Sequence, residues 1–161
     1  MAGVVFATTL VGASWAGGQT APPPPTEIVD SRQFVIHFDS NRRQPTAQDS
    51  GIIAKIIDYI AACKEWGHPV VRIVIVGYTD SDGPADYNVA LSKARAIGIA
   101  DALVAEGVPS EYIAVDWKGE SSLLVPAGDD VMEPLNRRVT IDPALGDSDD
   151  SGPFRTDKSG A

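Results

Sequence analysis

The chain has 161 residues, 43% of them hydrophobic and 7% aromatic, which suits one ordinary α/β domain with tails and argues against two domains. Its 22 acids against 13 Lys and Arg leave a formal charge of -9; this argues against nucleic acid or anionic lipid as the partner, because phosphate surfaces reward clustered Lys and Arg. The single cysteine, Cys63, excludes an internal disulfide and a multi-cysteine metal site and reads as a small apolar helix residue.

Residues 1–26 carry no charged side chain. Residues 3–14 have the apolar character of a signal-peptide core, and Ser14-Trp15-Ala16 puts small residues where a signal peptidase cuts. The basic start of such a peptide is missing, since the first Lys or Arg is Arg32. Either the true start lies upstream or the segment is an unusual signal or anchor, with a structureless apolar leader as the bland alternative. Gly3, Thr8, Thr9, Gly12 and Ser14 interrupt it and make it marginal as a bilayer span. The prolines at 22–25 form a stiff extended spacer.

Residues 33–38 alternate and read as the first strand, with His37 a strand histidine rather than a catalytic one. Asp39-Ser40-Asn41-Arg42-Arg43 is a polar connection. Thr46 and Asp49 resemble a capping box, after which Ile52, Ile53, Ile56, Ile57 and Ile60 mark one apolar helix face. Gly67-His68-Pro69 ends that helix. Residues 70–76 are apolar and β-branched except for Arg72, which predicts a central strand covered on both sides. Thr79-Asp80-Ser81-Asp82-Gly83 then supplies a turn, and Pro84 suits the first turn of a helix. That helix runs from 84 to 106, stops at Gly107, and presents Tyr87, Leu91, Ala94, Gly98 and Ala102 inward.

Residues 112–117 read as a third strand, 119–134 as a long loop with a helical turn near Val131, and 137–141 as the last strand. Beyond Pro143 the composition turns to Gly, Ser and Asp, with no fixed structure expected. The expected fold is α/β (an α+β sandwich) in the order β-α-β-α-β-β, with two helices on one face of a mixed four-stranded sheet. Right-handed crossovers would link parallel neighbours, and the final strand would close the sheet antiparallel. The expected organisation is leader and spacer at 1–26, a domain at 27–143 and an acidic tail at 144–161.

Asp80 at a strand end faces a helix bearing Asn88 and Arg95, seven residues apart and so on one face, roughly 10 Å apart along the axis. Opposite charges beside one loop stand where ligands of α/β sheets tend to bind. A carboxylate accepts from an ammonium group, and a guanidinium grips a carboxylate with two parallel bonds, so the pair suits a zwitterion, with Asn88 able to hold either end. The alternative is that Asp80 and Arg95 bond each other, or that Arg95 packs under the loop. No G-x-S-x-G elbow, Cys-His arrangement or Walker loop occurs, so no enzyme is expected. Asp80-Ser81-Asp82-Gly83 lacks the further ligands of a calcium loop, and neither metal nor cofactor is expected.

Gly77-Tyr78-Thr79-Asp80, Tyr87-Asn88 and Leu91-Ser92-Lys93-Ala94-Arg95-Ala96 resemble, in order, the pattern of the OmpA-like C-terminal domain, a periplasmic module that binds peptidoglycan. Phe38-Asp39-Ser40-Asn41, Gly119-Glu120 and Asn136-Arg137-Arg138-Val139 extend the resemblance over residues 33–143. It implies non-covalent binding of the free end of meso-diaminopimelate in peptidoglycan stem peptides, tethering the envelope to the wall. It also implies Asp80 and Arg95 as the principal pair, Thr79, Asn88 and Arg138 by motif position, and Asp39 with Asn41 from the upstream segment. Glu133 brings a negative charge where many members have a basic residue near Arg138.

The implied setting is the periplasm, in association with the outer membrane, with outer-membrane or other envelope proteins as further partners and a monomer or weak homo-oligomer as the state. The alternative is a wall-anchoring module of a larger envelope or motor assembly whose main role is protein–protein interaction. No cysteine stands near the leader for the lipid of the peptidoglycan-associated lipoproteins, and no acid in 1–26 would carry a stator's proton. Replacing Asp80 or Arg95 by alanine is expected to leave the fold intact and weaken wall binding.

Overall fold

Residues 33–146 are described in a computed structural model; the leader and spacer at 1–26 and the tail beyond Gly146 lie outside the described residues. Four strands and two helices follow one another as β1 (Phe34–His37), α1 (Ser50–Glu65), β2 (Val70–Tyr78), α2 (Ala85–Ala105), β3 (Ile113–Gly119) and β4 (Arg138–Leu145), with a 3-10 turn at Ser110–Tyr112. The α/β architecture expected from sequence is present, two helices against a mixed four-stranded sheet.

The spatial order is β1-β4-β2-β3. β2 and β3 are parallel neighbours joined by α2. β4, expected to close the sheet, instead lies between β1 and β2 and runs antiparallel to both. The first crossover, through α1, therefore links parallel strands that do not touch. Burial explains the placement: Val139 and Ile141 of β4 are fully buried, which requires a neighbour on either side as well as a helix above. β4 also continues past Pro143 to Leu145, so Ala144 and Leu145 belong to the sheet rather than to the tail.

Ile36, Ile73, Ile75, Val139 and Ile141 line one sheet face and meet Ile53 and Ile56 of α1 and Ala96, Ile99 and Leu103 of α2 in a single core. Alternating residues of a strand point to opposite faces, and β2 is not covered on both sides as expected: Ile73, Ile75 and Gly77 are buried, while Val74, Val76 and Tyr78 are half-buried. The helix-free face is partly shielded by long side chains, as where the Arg138 guanidinium lies 3.9 Å from the Tyr78 ring centroid.

Each helix starts and stops for a local reason. α1 starts at Ser50 with Asp49 as its N-cap and no side-chain cap bond. Asp49 instead accepts from the Thr46 N–H at 2.6 Å and from its hydroxyl at 3.0 Å, which closes the turn before the helix and is not the expected capping box. Pro84 caps α2, and Gly107 follows it at φ 95, a conformation that glycine adopts without a Cβ penalty. α2 buries Asn88, Leu91, Ser92, Arg95, Ala96, Ile99 and Leu103. Tyr87, Ala94 and Ala102 of the expected stripe are only half-buried. The hydrophobic stripe was misplaced because polar Asn88 and Arg95 occupy the centre of the inward face. α2 packs closely against the sheet, and a Cβ at Gly77 would collide with the Ser92 carbonyl. The turn expected near Val131 is not helical; the chain bends at Asp130, whose φ is 55. No helix among the described residues is long and apolar enough to cross a membrane.

Candidate functional site

Where β2 ends, the Thr79 N–H still pairs with the Gly119 carbonyl at 2.9 Å, so Asp80 leaves the sheet from a fixed point. Its side chain is 6% exposed. Its ion-pair partner is Arg137, Nη1 to Oδ2 at 2.9 Å, not Arg95. The Glu133 N–H donates to the same Oδ2 at 3.2 Å, so both of these bonds fall on one carboxylate oxygen. Arg137 also donates from Nε to the Phe38 carbonyl at 3.0 Å, and its side chain is 12% exposed.

Arg95 is 0% exposed. It donates from Nε to the Arg42 carbonyl at 2.8 Å, from Nη1 to the Tyr78 carbonyl at 3.2 Å and from Nη2 to the Asp39 carbonyl at 3.1 Å. The guanidinium thus joins the end of β2 to the connection between β1 and α1, and it lies 5.2 Å from the Phe38 ring centroid. Arg42 lies over the same ring at 5.4 Å and is paired with Asp39 and Asp49. Burial pushes the Arg95 pKa down to about 10, offset in part by the nearby Asp80 charge and reinforced by Arg137 and Arg42; it remains protonated at neutral pH. Five guanidinium N–H groups less these three bonds leave one on each terminal nitrogen. Arg95 therefore packs under the loop as a brace on three backbone carbonyls, one of the arrangements that the sequence left open, and on this geometry Arg95→Ala is expected to destabilise the fold.

The other expected residues separate into three sets. Thr79 and Asn88 are buried beneath the loop at 0% and 1% exposure. Asn88 Nδ2 donates to Glu120 Oε2 at 2.6 Å and to the carbonyls of Asp82 and Gly83, holding the loop's two ends together. Thr79 Oγ1 and Asn88 Oδ1 are buried without a partner among the described residues. Asp39 and Asn41 are exposed at the rim, Asp39 paired with Arg42 and Asn41 accepting from the Tyr87 hydroxyl at 3.0 Å. Arg138 does not belong to the site. It stacks on Tyr78 across the sheet, donates to the carbonyls of Asn136 and Ser122, and has its pKa lowered by burial.

Arg137 was missed although its motif was read. Strand parity could have found it: Val139 and Ile141 face the helices, so Arg137 shares their side and Arg138 the opposite one. The loop between β3 and β4, whose stretch 121–132 carries no pattern that assigns it a purpose, covers this end of the molecule. Asn136, fully buried, accepts from the N–H groups of Leu124 and Val125 at 2.8 Å each and donates to the Val125 carbonyl at 2.9 Å. Ser81 donates to the Gly128 carbonyl at 2.6 Å, and its own carbonyl accepts from Asp130. The result is a carboxylate bonded through one oxygen, with the Arg137 guanidinium on it and the Arg95 charge nearby; a carboxylate can receive a cation and a guanidinium an anion. Among the described residues, no group of three or more His, Cys, Asp or Glu is placed to hold a metal ion.

The sequence profile of the OmpA family matches residues 37–137. An outer membrane protein of Gluconacetobacter diazotrophicus is 36% identical over 117 residues, covering 69% of this chain and 30% of that protein. The peptidoglycan-binding protein ArfA of Mycobacterium tuberculosis is 31% identical over 133 residues, covering 77% of this chain and 39% of that one. The fold is similar to the crystal structure of the peptidoglycan-associated lipoprotein from Burkholderia pseudomallei, with a TM-score of 0.57 at 23% identity over 67% of this chain and 87% of that one. The chain belongs to the OmpA family. It spans less than two fifths of the length of these two curated relatives.

Proposed function

We propose that this chain binds peptidoglycan non-covalently by the zwitterionic end of diaminopimelate in the stem peptides, and so holds the periplasmic side of the envelope to the wall. The observation that carries the reading is the carboxylate of Asp80, bonded through one oxygen, beside Arg137 and Arg95. Asp80 Oδ1 accepts the ammonium, Arg137 meets the carboxylate at the opening, and Arg95 adds its charge from behind while fixing the surrounding backbone. Thr79 and Asn88 offer their unpartnered oxygens beneath the loop, and Asp39 and Asn41 form the rim. The name of the mycobacterial relative points the same way. Binding needs no catalytic group or cofactor, and the protein acts as an anchor rather than an enzyme.

Each charge-assisted bond contributes about 1.5–3 kcal/mol, so a single site is modest and retention on the wall depends on many presented stems. The relatives' greater length favours a second reading of the same site, as the wall-holding end of a larger envelope assembly with protein partners.

Sedimentation with purified sacculi tests the site. Asp80→Asn keeps the side chain's shape and removes its charge; affinity should fall about 10–150-fold, the equivalent of one such bond, and free meso-diaminopimelate should release the wild-type protein. Arg137→Gln should weaken binding too. Wild-type sedimentation by both variants would overturn the assignment.

A further inference from the structure

At the opposite end of β2 from Asp80, the ends of α1 and α2 stand apart over a cavity of about 470 Å³ whose lining includes Ile57, Ile60, Val70, Val108 and Tyr112. A second cavity, of about 590 Å³, continues between the two helices and shares Ile57 and Glu106 with the first. Together they form an apolar groove of a size that buries small side chains or ligands, within the roughly 300–1,000 Å³ common for such sites. Its charged members are Asp58, Lys64 and Glu106, all exposed.

The chain leaves the domain from the wall of this groove. Leu145 pairs with Val70, and the Gly146 N–H donates to the Pro69 carbonyl at 2.9 Å; Pro69, Val70 and Val71 all line the cavity. Residues 147–161 follow directly, and Phe154 is the only aromatic among them. Phe154 lies eight positions beyond Gly146, a reach of up to about 26–29 Å when extended, and Gly146 is bonded to Pro69 of the cavity wall. The charges match as well. Asp147, Asp149 and Asp150 come first and can lie near Lys64, while Arg155 beside Phe154 opposes Glu106. A short tether holds such a group at an effective concentration in the millimolar range.

We propose that Phe154, carried by residues 147–161, docks in the groove between the ends of α1 and α2, with Arg155 against Glu106. The occupant is the chain's own segment, because the exit point, the tether length and the charge order all serve it without a second molecule. The docked ring covers an apolar surface that the two helices leave open and ties α1 to α2 where they do not meet.

Carbon-13 methyl NMR of the whole chain tests this, comparing wild type with Phe154→Ala at several protein concentrations. In the wild type the ring should shift the methyl signals of Ile57, Ile60 and Val108 upfield at every concentration. The shifts should vanish in the variant and return when a synthetic peptide of residues 147–161 is added in excess. Ile97, exposed on α2 and outside the groove, is the control and should not move. Identical groove signals in wild type and variant would overturn the proposal. So would shifts that grow with protein concentration, which would make a second copy the occupant.

Discussion

At the Tyr78 end of β2, Asp80, Arg95 and Arg137 sit beneath a loop and are held by directed bonds to named partners. At the Val70 end, Ile57, Ile60 and Val108 face an open groove with no polar partner to satisfy. Burying a guanidinium costs several kcal/mol of hydration, recovered only when its bonds are well made. Apolar burial is non-directional and scales with area. The first end should therefore fail sharply when one group is changed, and the second should yield gradually.

The largest expected effect is at Arg95. Arg95→Ala leaves three backbone carbonyls without their donor and Asp80 with less positive charge nearby, and should destabilise the fold by about 3–5 kcal/mol in urea unfolding. Arg95→Lys should recover little, since a flexible ammonium cannot hold three carbonyls in the fixed fork of a guanidinium. A loss below 1 kcal/mol would mean that the brace carries no weight. Asn136→Ala comes next, at about 1–3 kcal/mol for buried groups left unbonded. It should also speed hydrogen exchange at Leu124 and Val125 while leaving β2 protected. Uniformly faster exchange would show that the loop and sheet open together. The mildest is Val108→Ala at the apolar end, about 1–2 kcal/mol for two methyl-sized groups. Were it to cost as much as Arg95→Ala, the contrast between the two ends would not hold.

Much of this could be read before any coordinates. Pro84 and Gly107 bracket α2 within a residue, and the apolar run from Val70 marks β2, because caps and strand periodicity are local signals. The position of β4 could not be read that way, since pairing partners distant in sequence leave no local trace. The inward face of α2 was misread for a different reason: a search for apolar stripes passes over a buried arginine. The charged residues at this end were found by type and spacing, but their pairing was not. Asp80 meets Arg137 from the far end of the chain, and only strand parity hinted at it.

The strand that fills the gap between β1 and β2 is also the last in sequence among the described residues. Gln33 and Asp142, bonded at 2.9 Å, are 109 positions apart, so β1 waits for nearly the whole domain before it has a neighbour. Closing so long a connection slows folding. Until β4 is in place between them, β1 and β2 have no ladder of backbone bonds to join them.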